Sequence, residues 1–544
     1  MKRRFVIVFA VASMLVLQGN KNMLNVVSAA EVVKETSKAI ISDYGTYTLK
    51  CQAGSKFMEV YGEITYNEKY KNNAKIVQNE ATRIGIWQEW QVIYRKTLNG
   101  VKYFELMNLH SGKALAAPCV LAKSGLQLQQ NSYTGDDLQL WEIRSVGITG
   151  YFNIINKKNG LAITNLKGSS SNNSAIVQEV PGAGEKQNWL FTSINADAYR
   201  DDVVVGFFER NDPSQGSVAF DQGNSIPLTW GKNNGKVLWV TQDAWDGKSL
   251  QPNNMFCCDD FFKYNNSMFV QQTKTDWSPT CPNIIIDSPM GRPRQICSNQ
   301  PGTDWSWAGP GIEIGNKVYI HCGEGKGLGA TEQSLYVLTQ SEDSLWKSER
   351  TTPKGLSGQT AVIYAAGMVK ASDNYVYCFG SHGNGFQEDI NVARFPVKNP
   401  QSWTFWDGSK WTEMPSTNKA ASISSSLAVS YVAYCNGKYV MVTIDNGFMC
   451  SDKRNMYIST STSPTGPFSE RVLVYKIQEY FYGKYARYYT PCIHPESING
   501  RDELLVTYSL NFSGCGVESC QNGYLDPYFY RVKGIRVPYS KIGL

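Results

Sequence analysis

A Gln-x-Trp triplet recurs three times in the first two hundred residues: Gln88-Glu89-Trp90, Gln139-Leu140-Trp141 and Gln187-Asn188-Trp189. The tryptophans are 51 and 48 residues apart. Each triplet closes a unit of short alternating segments broken by Gly and Asn turns. Two units share an opening, Phe104-Glu105-Leu106-Met107-Asn108 and Phe152-Asn153-Ile154-Ile155-Asn156, each followed by a polar turn and a glycine. Units of this length cannot each bury a core alone, so residues 44–195 are expected to close into one threefold all-β object.

This segment resembles the ricin-B-type β-trefoil lectins, which carry Gln-x-Trp once per lobe. The resemblance implies a carbohydrate-binding domain in which an acidic residue early in a lobe grips sugar hydroxyls. Glu59 is its counterpart in the first lobe. The second lobe has Ala116-Ala117 and the third Thr164-Asn165 at that place.

Residues 200–544 show a second periodicity. Five apolar runs are each opened by a tight polar turn, and they begin at Val237, Val318, Val376, Tyr439 and Leu504. Asn-Gly before such a run is a strong hairpin signal. Five similar β-units of this length predict a five-bladed β-propeller. The expected fold is therefore all-β, a trefoil followed by a propeller.

Six residues on from each run start stand Asp243, Glu324, His382, Asp445 and Leu510, with Asn511 beside the last. In equivalent blades these positions share one end of the ring, so polar groups of catalytic type would gather at one mouth. Asp221 and Asp243 each close a strand of the first blade. Two carboxyl groups on one rim are the minimum apparatus for glycoside hydrolysis. Trp230, Trp245, Trp305 and Trp307 would offer flat faces to sugar rings. His382, His494, Asp445 and Asn511 are further candidates for substrate binding.

The second region is similar to the five-bladed propeller glycosidases. In detail it resembles a secreted family first described as a domain of unknown function, which includes bacterial endo-D-arabinanases. The segments that carry this are Phe220-Asp221-Gln222-Gly223, Gln242-Asp243-Ala244-Trp245, Val392 to Pro396, Ser463 to Phe468, His494-Pro495-Glu496 and Val506 to Asn511. The resemblance implies Asp221 and Asp243 as the catalytic pair, Glu324 as a reserve acid and an arabinan-like furanoside polymer as substrate. Gln242 stands where that family has Gly. The alternative is a non-catalytic glycan-binding protein.

Lys2-Arg3-Arg4, an apolar run from Phe5 to Leu17 and Ser28-Ala29-Ala30 read as a secretory signal peptide over residues 1–30. Four of the basic residues lie there without an acid, so the net charge of +6 falls to +2 for the rest. No concentrated basic face remains for nucleic acid. The run is too short to span a bilayer. A secreted monomer with no membrane insertion is expected, with a polysaccharide or glycan as partner.

The 13 cysteines suit export, and disulfides are expected, with the pairing left open. They form no CxxC pair, and the histidines form no HExxH motif, so no metal or other cofactor is expected. The chain has no GxSxG. Gly323 to Gly329 lacks the spacing of a phosphate-binding loop. Asn172, Asn265 and Asn511 head Asn-x-Ser sequons.

Overall fold

The computed structural model describes residues 41–544 except 43–44, 63–70, 82–85, 109–110, 195–197, 211, 213–215, 260–263, 279, 282–294, 341–345, 384–386, 452, 482–483, 501 and 517–518. The expected signal peptide lies outside the described residues.

The N-terminal region is a single thirteen-stranded sheet that closes on itself: Thr46–Cys51 pairs both with Trp189–Ser193 and with Glu89–Leu98. The Gln-x-Trp repeat explains the closure. Each glutamine ends a short 3-10 turn, at Ile86–Gln88, Asp137–Gln139 and Gly184–Gln187. Its amide ties back to a carbonyl, Gln88 to Glu80 at 2.7 Å, Gln139 to Ser132 at 2.8 Å and Gln187 to Val180 at 2.9 Å. Each tryptophan enters the core with no exposed surface. A buried indole N–H needs an acceptor. The three donate to the carbonyls of Met58, Leu115 and Ile163, each at 3.0 Å. The shared opening has a similar basis. Asn108 and Asn156 donate to the carbonyls of Trp87 and Leu138, each at 2.9 Å, and accept from the turns that follow them. The region is a β-trefoil.

The second region forms a five-bladed, propeller-like arrangement. Blade one holds Asn224–Pro227, Val237–Thr241 and Ser267–Gln271. Blade two holds Trp305–Ile314, Lys317–Lys326, Gly329–Gln340 and Trp346–Thr351. Blade three is built on Met368–Lys370, Tyr375–Gly383, Glu388–Pro396 and Thr404–Trp406. Blade four holds Val429–Cys435, Lys438–Ile444, Asn455–Ser461 and Val472–Lys476. Blade five holds Lys484–His494, Glu503–Gly514 and Val532–Pro538. All five predicted run starts fall in the second strand of a blade. The turns before them supply the reason: Gly235, Gly315, Asn374, Gly437 and Gly500 all have positive φ, as tight reversals demand.

Blade five also takes Tyr199–Arg200 as an edge strand on Val532–Pro538, so the two ends of the region share one sheet. Asp201 caps the helix Asp202–Phe208 through the amides of Val203 and Val204. It also accepts from Arg536 Nε at 2.7 Å.

Trefoil and propeller pack directly. Gln478, after blade four, accepts from the Thr46 amide at 2.6 Å, and its carbonyl accepts from Gln91 at 2.8 Å. Tyr480 packs on Ile93 and Met107. Two disulfides form, Cys258–Cys520 and Cys450–Cys515, and both anchor the excursion between the last two blade-five strands named above. Among the described residues no helix is long and apolar enough to cross a membrane.

Candidate active site

The stretch Ser217–Phe220 pairs with Ala244–Asp246, and this small ladder brings Asp221 beside Asp243. The Asp221 amide donates to the Asp243 carbonyl at 3.2 Å, and the Gln242 amide donates to the Asp221 carbonyl at 3.1 Å. Asp221, just before the first strand of blade one, and Asp243, just after its second, thus share one end of the blade, held in register by main chain.

Their surroundings differ. Asp221 is only 5 % exposed. Its Oδ2 accepts from Tyr489 at 2.6 Å and from Tyr530 at 3.1 Å, while Oδ1 is buried without a partner. Burial, reinforced by the charge of Asp243, pushes its carboxyl up to about 8 against the pull of the two phenols. Asp243 is half-buried. Its Oδ1 accepts from Trp307 Nε1 at 2.9 Å and from Asn265 Nδ2 at 3.0 Å. Burial pushes this carboxyl up too, and the same two donors hold it back.

Backbone strain collects here. Gln222 has φ of 45° and its amide donates to Ser509 at 2.9 Å. Thr490, next to Tyr489, also has φ of 45°, a costly conformation for a β-branched residue. The two strained residues flank the Asp221–Tyr489 hydrogen bond, one on each side.

An amide cluster extends from Asp243. Asn265 accepts from Asn299 at 3.0 Å, and its amide donates to Gln295 at 2.7 Å. Asn265 is therefore occupied as a donor to a carboxylate, in addition to heading a sequon. Trp307 stacks on Trp305 at 3.7 Å, and Trp305 donates to the Gly327 carbonyl at 2.8 Å. Asn511 hydrogen-bonds to Tyr489, so it joins the network behind Asp221.

The other candidate residues are tied into the fold by contacts of their own. Trp245 is 1 % exposed and stacks on Phe256 at 4.5 Å, inside a separate apolar cluster. Trp230 packs edge-on against Trp346 and joins the core of blades one and two. His494 is a buried link between blades. Its Nδ1 meets Ser225 at 2.6 Å and its Nε2 meets Thr507 at 2.7 Å, and burial drives it down to about 3. It lies at the far end of the strand that carries Tyr489. Glu324 is clamped by Arg350 through two hydrogen bonds of 2.7 Å and by Ser334 at 2.7 Å. Both its oxygens are occupied, which suits a blade-two brace. His382 meets Asn391 at 2.8 Å within blade three. Asp445 accepts from the Asn455 amide at 2.9 Å and fastens the end of its own hairpin.

In the trefoil, Glu59 is 5 % exposed and accepts from Gln88 at 2.9 Å. Thr164 takes the same place on Gln187 at 3.0 Å. The acidic residue thus serves the lobe's own glutamine. Tyr489 and Tyr530 escaped the sequence reading, because nothing local distinguishes them within their Tyr-rich stretches. Among the described residues no cluster of His, Cys, Asp and Glu could hold a metal ion.

Fold and site together define a ricin-type β-trefoil lectin-like domain joined to a five-bladed, propeller-like domain in which Asp221 and Asp243 are paired through main chain. The family described as Domain of unknown function (DUF5005) matches residues 202–535, and the chain belongs to it. The ricin-type β-trefoil lectin domain-like family matches residues 86–179 and 139–200. No curated protein matches the chain. Among solved structures, a Bacteroides ovatus protein described as a "putative hydrolase" is 18 % identical, with a TM-score of 0.49, over 62 % of this chain and 90 % of its own. The designed threefold protein ThreeFoil is 26 % identical over 27 % of this chain and 98 % of its own, with a TM-score of 0.24. The exo-β-1,3-galactanase 1,3Gal43A from Clostridium thermocellum is 25 % identical over 28 % of this chain and 31 % of its own, with a TM-score of 0.24.

Proposed function

We propose that the protein is a secreted glycoside hydrolase, with residues 200–544 as the catalytic propeller and residues 44–195 as a carbohydrate-binding module. The observation that carries this reading is the unlike environment of the carboxyl groups of two aspartates paired through main chain. Asp221 is buried and retains its proton at neutral pH, with its carboxyl at about 8. Asp243 is half-buried, with an indole and an amide donating to one oxygen. Titratable neighbours whose environments pull their protonation apart form an acid and base pair. Asp221 would protonate the leaving oxygen as the glycosidic C–O bond breaks. Asp243 would attack the anomeric carbon or deprotonate the water that does. Trp307 would bound the sugar beside Asp243. The trefoil raises the local concentration of polymer without a new catalytic contact.

An arabinan-like furanoside polymer is the substrate favoured by the sequence resemblance. The test is a reducing-end release assay on the mature chain with arabinan, arabinogalactan, xylan, galactan and sialylated glycans. Release by wild type, and none by the Asp221→Asn, Asp243→Asn double variant, supports the reading and names the polymer. Retention of a glycan with no release by either would move the protein to a non-catalytic lectin, a reading favoured by the near-complete burial of Asp221.

A further inference from the structure

The acid pair lies inside a continuous row of contacts that runs through four blades. Trp305 stacks on Trp307 in blade two. Trp307 donates to Asp243, beside Asp221, in blade one. Asp221 accepts from Tyr489 of blade five. Tyr489 in turn meets Phe448, from the loop after blade four's second strand, edge-on at 5.7 Å.

Phe448 is the one link in this row that stands open, at 45 % exposure, beside Met449 at 54 %. An exposed aromatic on an unanchored loop would need no explanation. This one is anchored four ways. The Phe448 amide donates to Asn446 Oδ1 at 2.9 Å. Arg487 places its guanidinium 5.6 Å from the ring centre. Gly447 lies so close to the Tyr488 main chain that a Cβ would come within 2.1 Å of the Tyr488 carbonyl oxygen. The disulfide Cys450–Cys515 fastens the loop to blade five, and the Cys515 amide donates to the Tyr485 carbonyl at 3.0 Å. A large apolar ring held in place in water, one contact away from the Tyr489–Asp221 hydrogen bond, marks a contact surface for a ligand with flat apolar faces.

We infer that Phe448 is a sugar-stacking platform on the blade-five side of the acid pair, reached through Tyr489, so that the site takes a carbohydrate chain longer than one sugar. This rests on the hydrolase reading above. A single terminal sugar seated at Asp243 would reach Trp307 and leave Phe448 empty. Phe448 positions substrate and takes no part in the proton transfers.

The experiment uses the full mature chain, the polymer from the panel that wild type cleaves, a ladder of its linear oligosaccharides and an aryl monosaccharide glycoside. Wild type, Phe448→Ala and Phe448→Trp are compared. Phe448→Ala should raise KM on polymer and long oligosaccharides about tenfold, the equivalent of one lost stacking contact, with kcat within about threefold. It should leave the aryl monosaccharide unchanged, and Phe448→Trp should restore KM on the polymer. Equal KM for wild type and Phe448→Ala at every chain length would overturn the inference while leaving the hydrolase reading intact. Should wild type release nothing from the panel, the hydrolase reading fails. Affinity electrophoresis of wild type and Phe448→Ala in each panel polymer then decides the platform alone. Weaker retardation of the variant in one of them would uphold it, and equal mobility in all of them would overturn it.

Discussion

The Asp221 amide donates to the Asp243 carbonyl at 3.2 Å, so the two residues are fixed to one another by main chain, independent of their side-chain partners. Neutralising either side chain should therefore leave the local backbone in place. Asp243→Asn is expected to lower kcat by at least about a hundredfold, the lower end of what a positioned acid or base supplies. The melting temperature should stay near that of wild type. Activity assays beside thermal denaturation check both.

The Asp221 carboxyl sits at about 8 in the folded chain, far above the value of about 3.9 for an unfolded aspartate. The folded state therefore binds the extra proton between these limits. This contribution to stability is complete below about pH 4 and is lost as pH rises towards 8. Asp221→Asn should flatten that loss in urea unfolding measured from pH 4 to 9. If Asp221 is the acid, kcat should fall on the basic side with the same ionisation.

Tyr489 and Tyr530 both donate to Asp221 Oδ2. Donors favour the carboxylate, so losing one raises the carboxyl further. Tyr489→Phe and Tyr530→Phe should each shift the basic limb of the pH–rate profile upward. An unshifted limb with reduced kcat would assign these phenols to substrate contact instead.

His494 and His321 are buried and driven down to about 3 and about 4. Each is neutral when folded and takes a proton when unfolded. Their stability contribution is present above about pH 6.5 and lost as pH falls below it. A His494→Gln chain that folds should show a shallower loss of stability between pH 6.5 and 4 than wild type.

Glu324 and Arg350 form a bidentate pair with the carboxylate at 1 % exposure. Arg350→Met strands that carboxylate and should cost about 3–5 kcal/mol in denaturant unfolding. Glu324→Gln should destabilise the chain and leave kcat close to wild type. A loss of kcat as large as that of Asp243→Asn would restore Glu324 to the machinery.

Sequence carried the architecture because its signals are local. A Gln-x-Trp triplet places a turn, a tie-back amide and a core indole within three residues, and all three copies behave alike. The polar turns before Val237 and its four counterparts set hairpins by their own φ preferences. The site is less legible because it is assembled across blades. The six-residue offset from Val237 reaches Asp243, yet the same offset in blades two, three and four reaches Glu324, His382 and Asp445, which serve their own sheets. Tyr489 and Tyr530 reach Asp221 from 268 and 309 residues away, a distance no spacing rule bridges. Trp245 and Trp307 are indistinguishable by type, and only the packing of Phe256 or Trp305 against them decides which one reaches Asp243.

The most direct measurement separates the roles of the two aspartates by leaving group. Wild type, Asp221→Asn and Asp243→Asn would be assayed on the polymer wild type cleaves and on an aryl glycoside of the same sugar whose phenol departs without protonation. With Asp221 as acid, Asp221→Asn should lose the polymer and keep most of its rate on the aryl glycoside, while Asp243→Asn loses both. Equal losses on both substrates for both variants would contradict the division of labour, and full activity of both variants would contradict the catalytic pair itself.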